Sequence, residues 1–387
     1  MIYVLAAGLI LLSLGAVEYR LHRRNLAKIP TVVHVNGTRG KSTTTRLIAA
    51  GLRGAGLNVL AKTTGSAARL ILSDGEELPL HRRGRATIHE NLKVVAWAAR
   101  RGVDVLVVEC MALHPELQWI AEEKMLQADL AVITNVREDH LEVMGPTVAD
   151  AARFMCATIP QRGHLVTAEK QFLPVLQEAA AKKGTTVHVV DPEGISPAVL
   201  DRFSYISFGA NVALALKVCE LLGVDQETAL TGMLQAAPDP GVSPVQHLRW
   251  EGRSVQLLNC FAANDPQSTL MTWEAGRSQL NLEKALVCAV LNSRSDRPLR
   301  VLQLAGILGE LGLEKLYLVG EWTWQLKRKV REAYPGPVLD LTRAKTAEEI
   351  VRCIAAQARR GVVLVGLGNI RGMGEALLQY FKENGED

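Results

Sequence analysis

The sequence predicts an α/β protein in which an apolar N-terminal helix precedes two domains, each built on a parallel sheet. From residue 30 onward, short β-rich apolar runs alternate with amphipathic helical stretches, the pattern of strands joined by crossover helices. Runs such as VDVLVVEC show no polar–apolar alternation, which indicates strands buried on both faces of a sheet. A chain of 387 residues is too long for a single core, so we expect two domains.

The N-terminus is the most apolar stretch of the chain. Residues 1–17 read MIYVLAAGLILLSLGAV, and about 20 apolar residues span a bilayer core. A secretory signal would carry its positive charge before the apolar run, whereas here the cations follow it and favour a cytoplasmic location for what comes next. We predict a single-pass anchor helix at residues 1–20 in the cell membrane, with the rest of the chain in the cytoplasm. The alternative is an apolar helix docked on a soluble domain. The cations that follow are Arg20, Arg23, Arg24 and Lys28.

A linker divides the remainder of the chain. The segment APDPGVSP at residues 237–244 contains three prolines and a glycine, a strong signal for a break in regular structure. We therefore predict a central domain at residues 30–240 and a smaller α/β domain at residues 245–387.

In the central domain, TVVHV is the first predicted strand, followed by a helix over residues 42–55 and a second strand, LNVLAK. RLILSDGEELPL indicates a hairpin that turns at Asp74 and Gly75. TIHENLKVVAWAARRG is predicted to be a helix with a capping box of Thr87 and Glu90. The later strands are VDVLVVEC, ADLAVITNV, HLVTA and TVHVV, and the later helices are GANVALALKVCELLG and QETALTGMLQAA.

The C-terminal domain repeats this alternation. SVQLLNCF, KALVCAVL, KLYLVG and GVVLVGLGN are predicted strands, and helices are predicted from about Pro266 and over AEEIVRCIAAQARRG. Parallel sheets bind ligands beyond the carboxyl ends of their strands, so the residues that follow each strand are the candidates for function.

Composition excludes two classes of function. The formal net charge is only +4 and no dense run of Lys and Arg stands beside aromatic residues, so we expect no nucleic-acid partner. No two of the six cysteines form a C-x-x-C pair. This spacing argues against a structural zinc site and against a disulfide framework, and it is consistent with a protein in a reducing compartment.

The loop after the first strand has the features of a phosphate-binding turn. Gly37 and Gly40 allow main-chain N–H groups to point inward, and the following helix adds its positive end. Lys41 can reach the β- and γ-phosphates of a nucleotide, and Ser42 can bind magnesium. The generic P-loop needs a glycine where this chain has Val35, so the alternative is a chance lysine after a glycine turn. The predicted ATP-binding residues here are Asn36, Gly37, Thr38, Arg39, Gly40, Lys41, Ser42 and Thr43.

Two later strand ends add acidic and histidine side chains. Glu109 lies at the end of the predicted strand VDVLVVEC. A buried carboxylate needs a partner, and beside a nucleotide the natural partner is magnesium. The alternative is that Glu109 is an acidic residue at a strand end that faces water. Asn135 ends ADLAVITNV, and Asp139 and His140 follow in the loop.

Weaker signals follow other strands. Thr63, Thr64 and Gly65 offer hydrogen bonds to a phosphate or carboxylate, and Arg69 offers a charge for an acidic substrate. In the C-terminal domain, two loops could face ATP or the substrate or carry only solvated charges; they contain Asn264, Asp265, Arg294, Asp296 and Arg297. GLGNIRGMG is a weak dinucleotide fingerprint that we interpret as a tight turn.

GTRGKST at residues 37–43 resembles the nucleotide loop of the Mur ligase superfamily, G-T-x-G-K-[ST]-[ST]. The superfamily pattern T-N-x-x-x-D-H-[LM] also matches, at Thr134, Asn135, Asp139, His140 and Leu141. The resemblance implies a P-loop central domain with a parallel sheet, a Rossmann-like C-terminal domain, and ATP and Mg²⁺ as cofactors. It further implies metal binding by Ser42, Glu109 and His140, with His140 on a second magnesium, and catalysis by Lys41, Glu109 and His140. Asn135 and Asp139 would shape the loop or the nucleotide pocket, and Asp265 and Arg294 are further candidates for contacts with the nucleotide.

Departures from the superfamily pattern point to one branch. No lysine lies between Lys124 and Lys170, where peptidoglycan Mur ligases and folylpolyglutamate synthases usually carry a carbamylated one, and an anchor replaces the UDP-binding domain. The segments VVECMALHPE, NVREDHLEVMGPT, FAANDPQSTL and GLGNIRG resemble the ligase subunits of poly-γ-glutamate synthases. A folylpolyglutamate synthase-like or other Mur-type amino-acid ligase is the nearest alternative, and a P-loop kinase or a nucleotide-binding scaffold is a more distant one.

This branch implies an ATP-dependent carbon–nitrogen ligase. It would join glutamate through γ-amide bonds by way of an acyl phosphate, releasing ADP and phosphate, for a capsule or secreted polymer. The implied partners are glutamate, the growing poly-γ-glutamate chain and small membrane subunits of a synthase and export complex, and self-association stays open.

Overall fold

The structure is a computed structural model that describes residues 2–64, 68–80, 82, 86–139, 141–238, 245–263, 265–358 and 361–385. It contains two compact units: Met1–Phe203 with Ser207–Asp239, and Ser204–Ile206 with Pro240–Asp387. Each unit carries one sheet.

The N-terminal unit contains an eight-stranded sheet in the order β4-β3-β2-β5-β1-β6-β7-β8. All its neighbouring strands are parallel except those of the β2–β3 and β3–β4 pairs. Its elements are α1 (Ile2–Leu26), β1 (Thr31–Asn36), α2 (Lys41–Gly54), β2 (Val59–Thr63), β3 (Arg69–Ile71), β4 (Glu77–Pro79), α3 (Glu90–Arg101), β5 (Val105–Glu109), α4 (Pro115–Ile120), a π-helical segment (Ala121–Leu126), β6 (Leu130–Ile133), α5 (Leu141–Met144), α6 (Val148–Met155), a 3₁₀ turn (Cys156–Thr158), β7 (His164–Thr167), α7 (Leu173–Lys183), β8 (Thr186–Val189), a 3₁₀ turn (Pro192–Gly194), α8 (Pro197–Leu200), α9 (Gly209–Leu221) and α10 (Gln226–Leu234).

The C-terminal unit has six strands in the order β13-β12-β11-β14-β10-β9, with only β9 antiparallel to its neighbour. The sequence pattern predicts four of these strands and misses the edge strands β9 and β13. Its elements are β9 (Gln246–Trp250), β10 (Arg253–Asn259), α11 (Pro266–Arg277), a 3₁₀ turn (Leu282–Lys284), β11 (Ala285–Ser293), α12 (Pro298–Ala305), β12 (Lys315–Gly320), α13 (Trp324–Ala333), β13 (Val338–Asp340), α14 (Ala347–Ala355), β14 (Gly361–Gly368) and α15 (Met373–Asn384).

The predicted α/β fold with parallel-rich sheets is confirmed, and burial explains it. Every residue of β5 and β6 is buried, as continuous apolar strands between two helical layers require. The central strands β1 and β5 end side by side, with Val35 paired to Glu109. The residues that follow β1, β5 and β6 therefore meet at one edge of the sheet.

The predicted hairpin is present, but the predicted capping box is wrong. β3 and β4 pair antiparallel around Asp74 and Gly75. Helix α3 begins at Glu90 after His89, and no side chain caps it. The Glu90 carboxylate instead binds Arg82 and lies 3.4 Å from the Lys62 ammonium, because two cations attract it more strongly than backbone amides do.

Helix α1 is exposed along most of its length and docked only at its end. The segment Tyr3–Leu26 is long and apolar enough to cross a membrane, and none of its most apolar window is buried. Near its end, His22 Nε2 donates to the Met125 carbonyl at 2.8 Å, and Leu26 joins the core cluster that contains Val94 and Leu106.

Candidate active site

The loop between β1 and α2 has a backbone that strongly favours glycine at two positions. Gly37 has φ 128° and Gly40, the residue before α2, has φ 81°. A Cβ on Gly37 would lie 2.0 Å from Thr134 Oγ1. The loop therefore turns tightly against the end of β6, and the first amides of α2 are available beyond it.

The residues after β6 fix this loop. Asn135 binds both backbone polar groups of Arg39, since its Oδ1 accepts from Arg39 N at 3.1 Å and its Nδ2 donates to Arg39 O at 3.0 Å. Thr134 Oγ1 donates to the same carbonyl at 2.6 Å, and Thr38 N donates to Asn135 O at 2.9 Å. Asn135, which the sequence places among the nucleotide-binding residues, here holds the shape of the loop.

Ser42 and Glu109 meet at the same edge of the sheet. Glu109 is 3% exposed, and its Oε2 accepts from Ser42 Oγ at 2.9 Å and from Thr64 N at 2.6 Å. A hydroxyl and a carboxylate beside a phosphate loop are the hard oxygen donors that Mg²⁺ prefers. Among the residues described here, no group of three or more His, Cys, Asp or Glu side chains could hold a metal, but Mg²⁺ in nucleotide sites needs only one or two protein ligands beside the phosphates. The two side chains therefore fit the ion.

Lys41 is folded against the loop. Its Nζ donates to Gly37 O at 2.7 Å and to Thr38 O at 3.2 Å. Burial lowers the pKa of the Lys41 ammonium, and the Glu109 carboxylate acts in the opposite direction. The positive charge thus lies within the loop where phosphate oxygens would enter, and Thr43 lies beside it in the first turn of α2.

The Asp139–His140 motif is only partly described. Asp139 Oδ2 accepts from Arg39 Nη1 at 2.9 Å, which ties the β6 loop to the nucleotide loop. His140, the predicted metal ligand, lies outside the described residues.

A cavity of about 250 Å³ opens beside these groups. The nucleotide loop forms one wall, Glu109 and the residues after β5 form another, and Arg82 and Gln118 also line it. Of the TTG segment, Thr64 lines the cavity and Thr63 is fully buried, whereas Gly65 lies outside the part of the chain that the structure describes.

A ladder of buried polar pairs lies below the loop, and sequence reasoning missed it. Asn36 Nδ2 donates to Gln118 Oε1 at 3.0 Å, and two residues earlier on β1 His34 Nδ1 lies 2.8 Å from Glu122 Oε2. Asn36 Oδ1 in turn accepts from Gly37 N at 2.8 Å. Burial alone would lower the pKa of His34, but hydrogen bonds to Cys110 and Glu122 raise it to about 9. The sequence does carry a signal for these pairs. His34 and Asn36 are two residues apart on a strand, and Gln118 and Glu122 are four residues apart on a helical segment, so each pair of side chains lies on one face of its element.

The C-terminal candidates have local partners within their own unit. Asp265 is buried and caps α11, because its Oδ1 accepts from Ser268 N at 2.8 Å. Arg294 pairs with Asp296 at 2.7 Å. The glycine-rich segment after β14 forms a turn, in which Asn292 Nδ2 donates to the Asn369 carbonyl at 2.6 Å. Asn264 lies outside the described residues.

Comparisons with known proteins match both parts of the chain. Residues 35–214 match the Mur ligase middle domain, and residues 245–384 match the poly-gamma-glutamate synthase CapB C-terminal domain. The chain is 36% identical over 384 residues to PGA synthase CapB of Bacillus subtilis, covering 98% of this chain and 97% of that protein. It is 37% identical over 388 residues to capsule biosynthesis protein CapB of Bacillus anthracis, covering 99% and 83%.

Among solved structures, a bifunctional folylpolyglutamate synthase/dihydrofolate synthase from Yersinia pestis, complexed with AMPPNP and a Mn ion, superposes with a TM-score of 0.69. It covers 94% of this chain and 92% of that one at 17% identity, a likeness that shows the fold alone. The full-length identity to two CapB proteins, together with both domain matches, shows that this chain belongs to the CapB family of poly-γ-glutamate synthases, within the Mur ligase superfamily.

Proposed function

We propose that this protein is an ATP-dependent ligase that joins glutamate residues through γ-amide bonds. The observation that carries the proposal is the contact of Ser42 with Glu109 beside the lysine-bearing loop, in a chain related over its full length to a PGA synthase. The folylpolyglutamate synthase-like alternative has support from the fold only.

The proposed reaction has two steps. The γ-carboxylate of a chain-terminal glutamate attacks the γ-phosphorus of ATP, forming an acyl phosphate and releasing ADP. The amine of the incoming glutamate then attacks the acyl carbon, loses a proton and expels phosphate. In the first step negative charge spreads over the transferred phosphoryl oxygens. Lys41 and the loop amides after Gly37 are placed to neutralise it, and the tight loop orients the phosphates.

Ser42 and Glu109 would hold a Mg²⁺ ion, which supplies Lewis-acid stabilisation of the phosphate oxygens when bound. The solved protein of the same fold from Yersinia pestis is complexed with AMPPNP and a Mn ion, which supports a nucleotide and a divalent ion as the cofactors. We assign His140 to a second metal position by its place in the T-N-x-x-x-D-H-[LM] pattern. Asp265 and Arg294 are our candidates for nucleotide contacts from the C-terminal domain.

Helix α1 supports a membrane location. Its exposed apolar length and the cations after residue 17 fit a single-pass anchor with the ligase domains in the cytoplasm. There the protein would receive glutamate, elongate the poly-γ-glutamate chain and act with small membrane subunits of the synthase and export complex.

Phosphate release from ATP by membranes that contain the full-length protein, with and without glutamate, tests this function. We expect glutamate-dependent release of ADP and phosphate. Lys41→Ala should abolish it, whereas Lys182→Ala, which removes an exposed lysine, should leave it unchanged. Release that ignores glutamate, or full activity in Lys41→Ala, would contradict the proposal.

A further inference from the structure

The cavity beside the nucleotide loop has a cationic side chain in its wall that does not belong to the loop. Arg82 lines the cavity together with Thr64, Glu109 and Met111. The Arg82 side chain is 24% exposed, so its guanidinium is partly open to the space that the substrates would occupy.

Arg82 is held by a buried network. Its Nε and Nη2 donate to the two oxygens of Glu90 at 2.7 and 3.1 Å. The Lys62 ammonium lies 3.4 Å from the same carboxylate and donates to Asn91 Oδ1 at 3.0 Å. Lys62 is 0% exposed. The two hydrogen bonds from Arg82 to Glu90 form a bidentate pair, which fixes the plane of the guanidinium.

Two cations in this network share one acidic partner. Lys62 and Arg82 both pair with the carboxylate of Glu90. Burial lowers the pKa of Lys62, and the Glu90 and Glu109 carboxylates oppose this effect. Because Lys62 has no exposed surface, an anion in the cavity can contact this network of cations only at Arg82.

Arg82 keeps unused hydrogen-bonding capacity. A guanidinium carries five N–H donors, and among the described residues Glu90 takes one from Nε and one from Nη2. The planar fork of an arginine matches a carboxylate better than an ammonium does. A partly open arginine with donors left over on the cavity side is suited to a substrate carboxylate.

The proposed reaction supplies such a group. In a γ-linked chain every glutamate keeps its α-carboxylate, and at the chain end that group is separated by only a few bonds from the γ-carboxylate that attacks ATP. The nucleotide phosphates have their own site at the loop around Lys41, so Arg82 is available for the acid.

We propose that Arg82 binds the α-carboxylate of the chain-terminal glutamate and so sets which acid is activated, while Lys62 and Glu90 position the arginine. This inference rests on the proposed ligase function. It makes Arg82 a specificity-determining residue for the acid substrate and leaves ATP binding to the loop.

The test uses full-length protein in membranes, with γ-linked diglutamate as the acid and its analogue with the terminal α-carboxylate converted to an amide. We expect the wild type to prefer the free acid by about 10- to 100-fold in kcat/KM, the range for one hydrogen bond to a charged group. In Arg82→Gln the KM for diglutamate should rise by a similar factor and the preference should disappear. The KM for ATP should stay within about twofold, because no nucleotide contact is lost.

Two further variants separate binding from folding. Arg82→Lys should recover part of the preference, since it restores the charge without the fork. Arg100→Ala, which removes an exposed arginine from the same helix as Glu90, should behave as the wild type. Retention of the preference in Arg82→Gln, or a rise in the KM for ATP instead of the acid, would overturn the inference alone. Phosphate release by the wild type that ignores every acid would overturn the proposed function and the inference together.

Discussion

The buried pair of His34 and Glu122 predicts that the stability of the N-terminal unit depends on pH. The two side chains are 0% and 2% exposed and lie 2.8 Å apart. Although burial alone would lower the pKa of His34, its partners raise it from 6.5 to about 9. Since the folded pKa is the higher one, the contribution is fully present below pH 6.5 and is lost as the pH rises through 9. One pKa unit corresponds to about 1.4 kcal/mol, so the whole shift, to which Cys110 and Glu122 both contribute, amounts to roughly 3 kcal/mol, most of it still present at pH 7.

Glu122→Gln tests the contribution of Glu122 to this effect. The amide keeps an oxygen for Ala128 N, which Glu122 Oε1 binds at 3.0 Å, but it removes one of the two partners that favour the imidazolium, the other being Cys110. We expect the wild type to lose roughly 2 to 3 kcal/mol of stability between pH 7 and pH 10, and the variant to lose less over that range. Glu178→Gln, which breaks an exposed pair with Lys182, should follow the wild type.

The measurement is urea unfolding of the full-length protein in detergent at each pH. Pulsed hydrogen exchange with mass spectrometry of peptides from β1 and β5 reports the N-terminal unit separately from the C-terminal one. Parallel pH profiles for the wild type and Glu122→Gln would refute the role of Glu122 in favouring the charged form of His34. A profile in which wild-type stability rises above pH 7 would refute the sign of the argument.

Two other substitutions test the loop and the metal donors. Gly37→Ala should weaken binding of an ATP analogue by about tenfold or more, because φ is 128° and the new methyl would lie 2.0 Å from Thr134 Oγ1. Gly56→Ala, at φ 81° with no atom within 4 Å, is the control and should bind normally; equal binding by both variants would contradict the role of the close approach. Glu109→Gln should raise the Mg²⁺ concentration needed for half-maximal phosphate release by roughly 10- to 100-fold or more. Loss of a residue that only hydrogen-bonds a metal ligand already weakens metal binding by that factor. An unchanged Mg²⁺ requirement would remove Glu109 from the metal site.

The parts of the site that lie at strand ends could be predicted from the sequence. A continuous apolar strand identifies a buried position in a parallel sheet, and the polar residue that follows it must lie at the carboxyl edge. This reasoning selects Glu109, the pattern of the loop after β1 selects Ser42, and the structure brings them to 2.9 Å from each other. It works because the contact depends on the topology of neighbouring strands and requires no knowledge of side-chain packing.

The network behind the site could not be predicted in the same way. Lys62 lies in the apolar run LNVLAK, and nothing in that run shows that its partners are Glu90 and Asn91, which come almost 30 residues later. Local pattern assigns Glu90 to a helix cap, a role that depends only on its neighbours in sequence. The tertiary structure offers two cations instead, and the stronger charge-assisted interactions decide the outcome.

The docking of α1 determines where a truncation can separate anchoring from catalysis. Removal of residues 1–20 takes away the exposed apolar length but leaves His22, which bonds the π-helical segment, and Leu26 and Ile29, which are buried beside α3. The π-helical segment carries Glu122, the partner of His34, and α3 carries Glu90, the partner of Lys62 and Arg82. We expect this truncated protein to leave the membrane fraction and keep ATP turnover within about twofold. Removal of residues 1–29 also deletes two buried apolar side chains, at a cost of roughly 3 to 6 kcal/mol, and should lower both the melting temperature and turnover. Equal stability of the two truncated proteins would mean that the end of α1 does not contribute to the core, whereas a loss of stability confined to the longer deletion shows that the end of α1 is part of the packed core of the N-terminal unit.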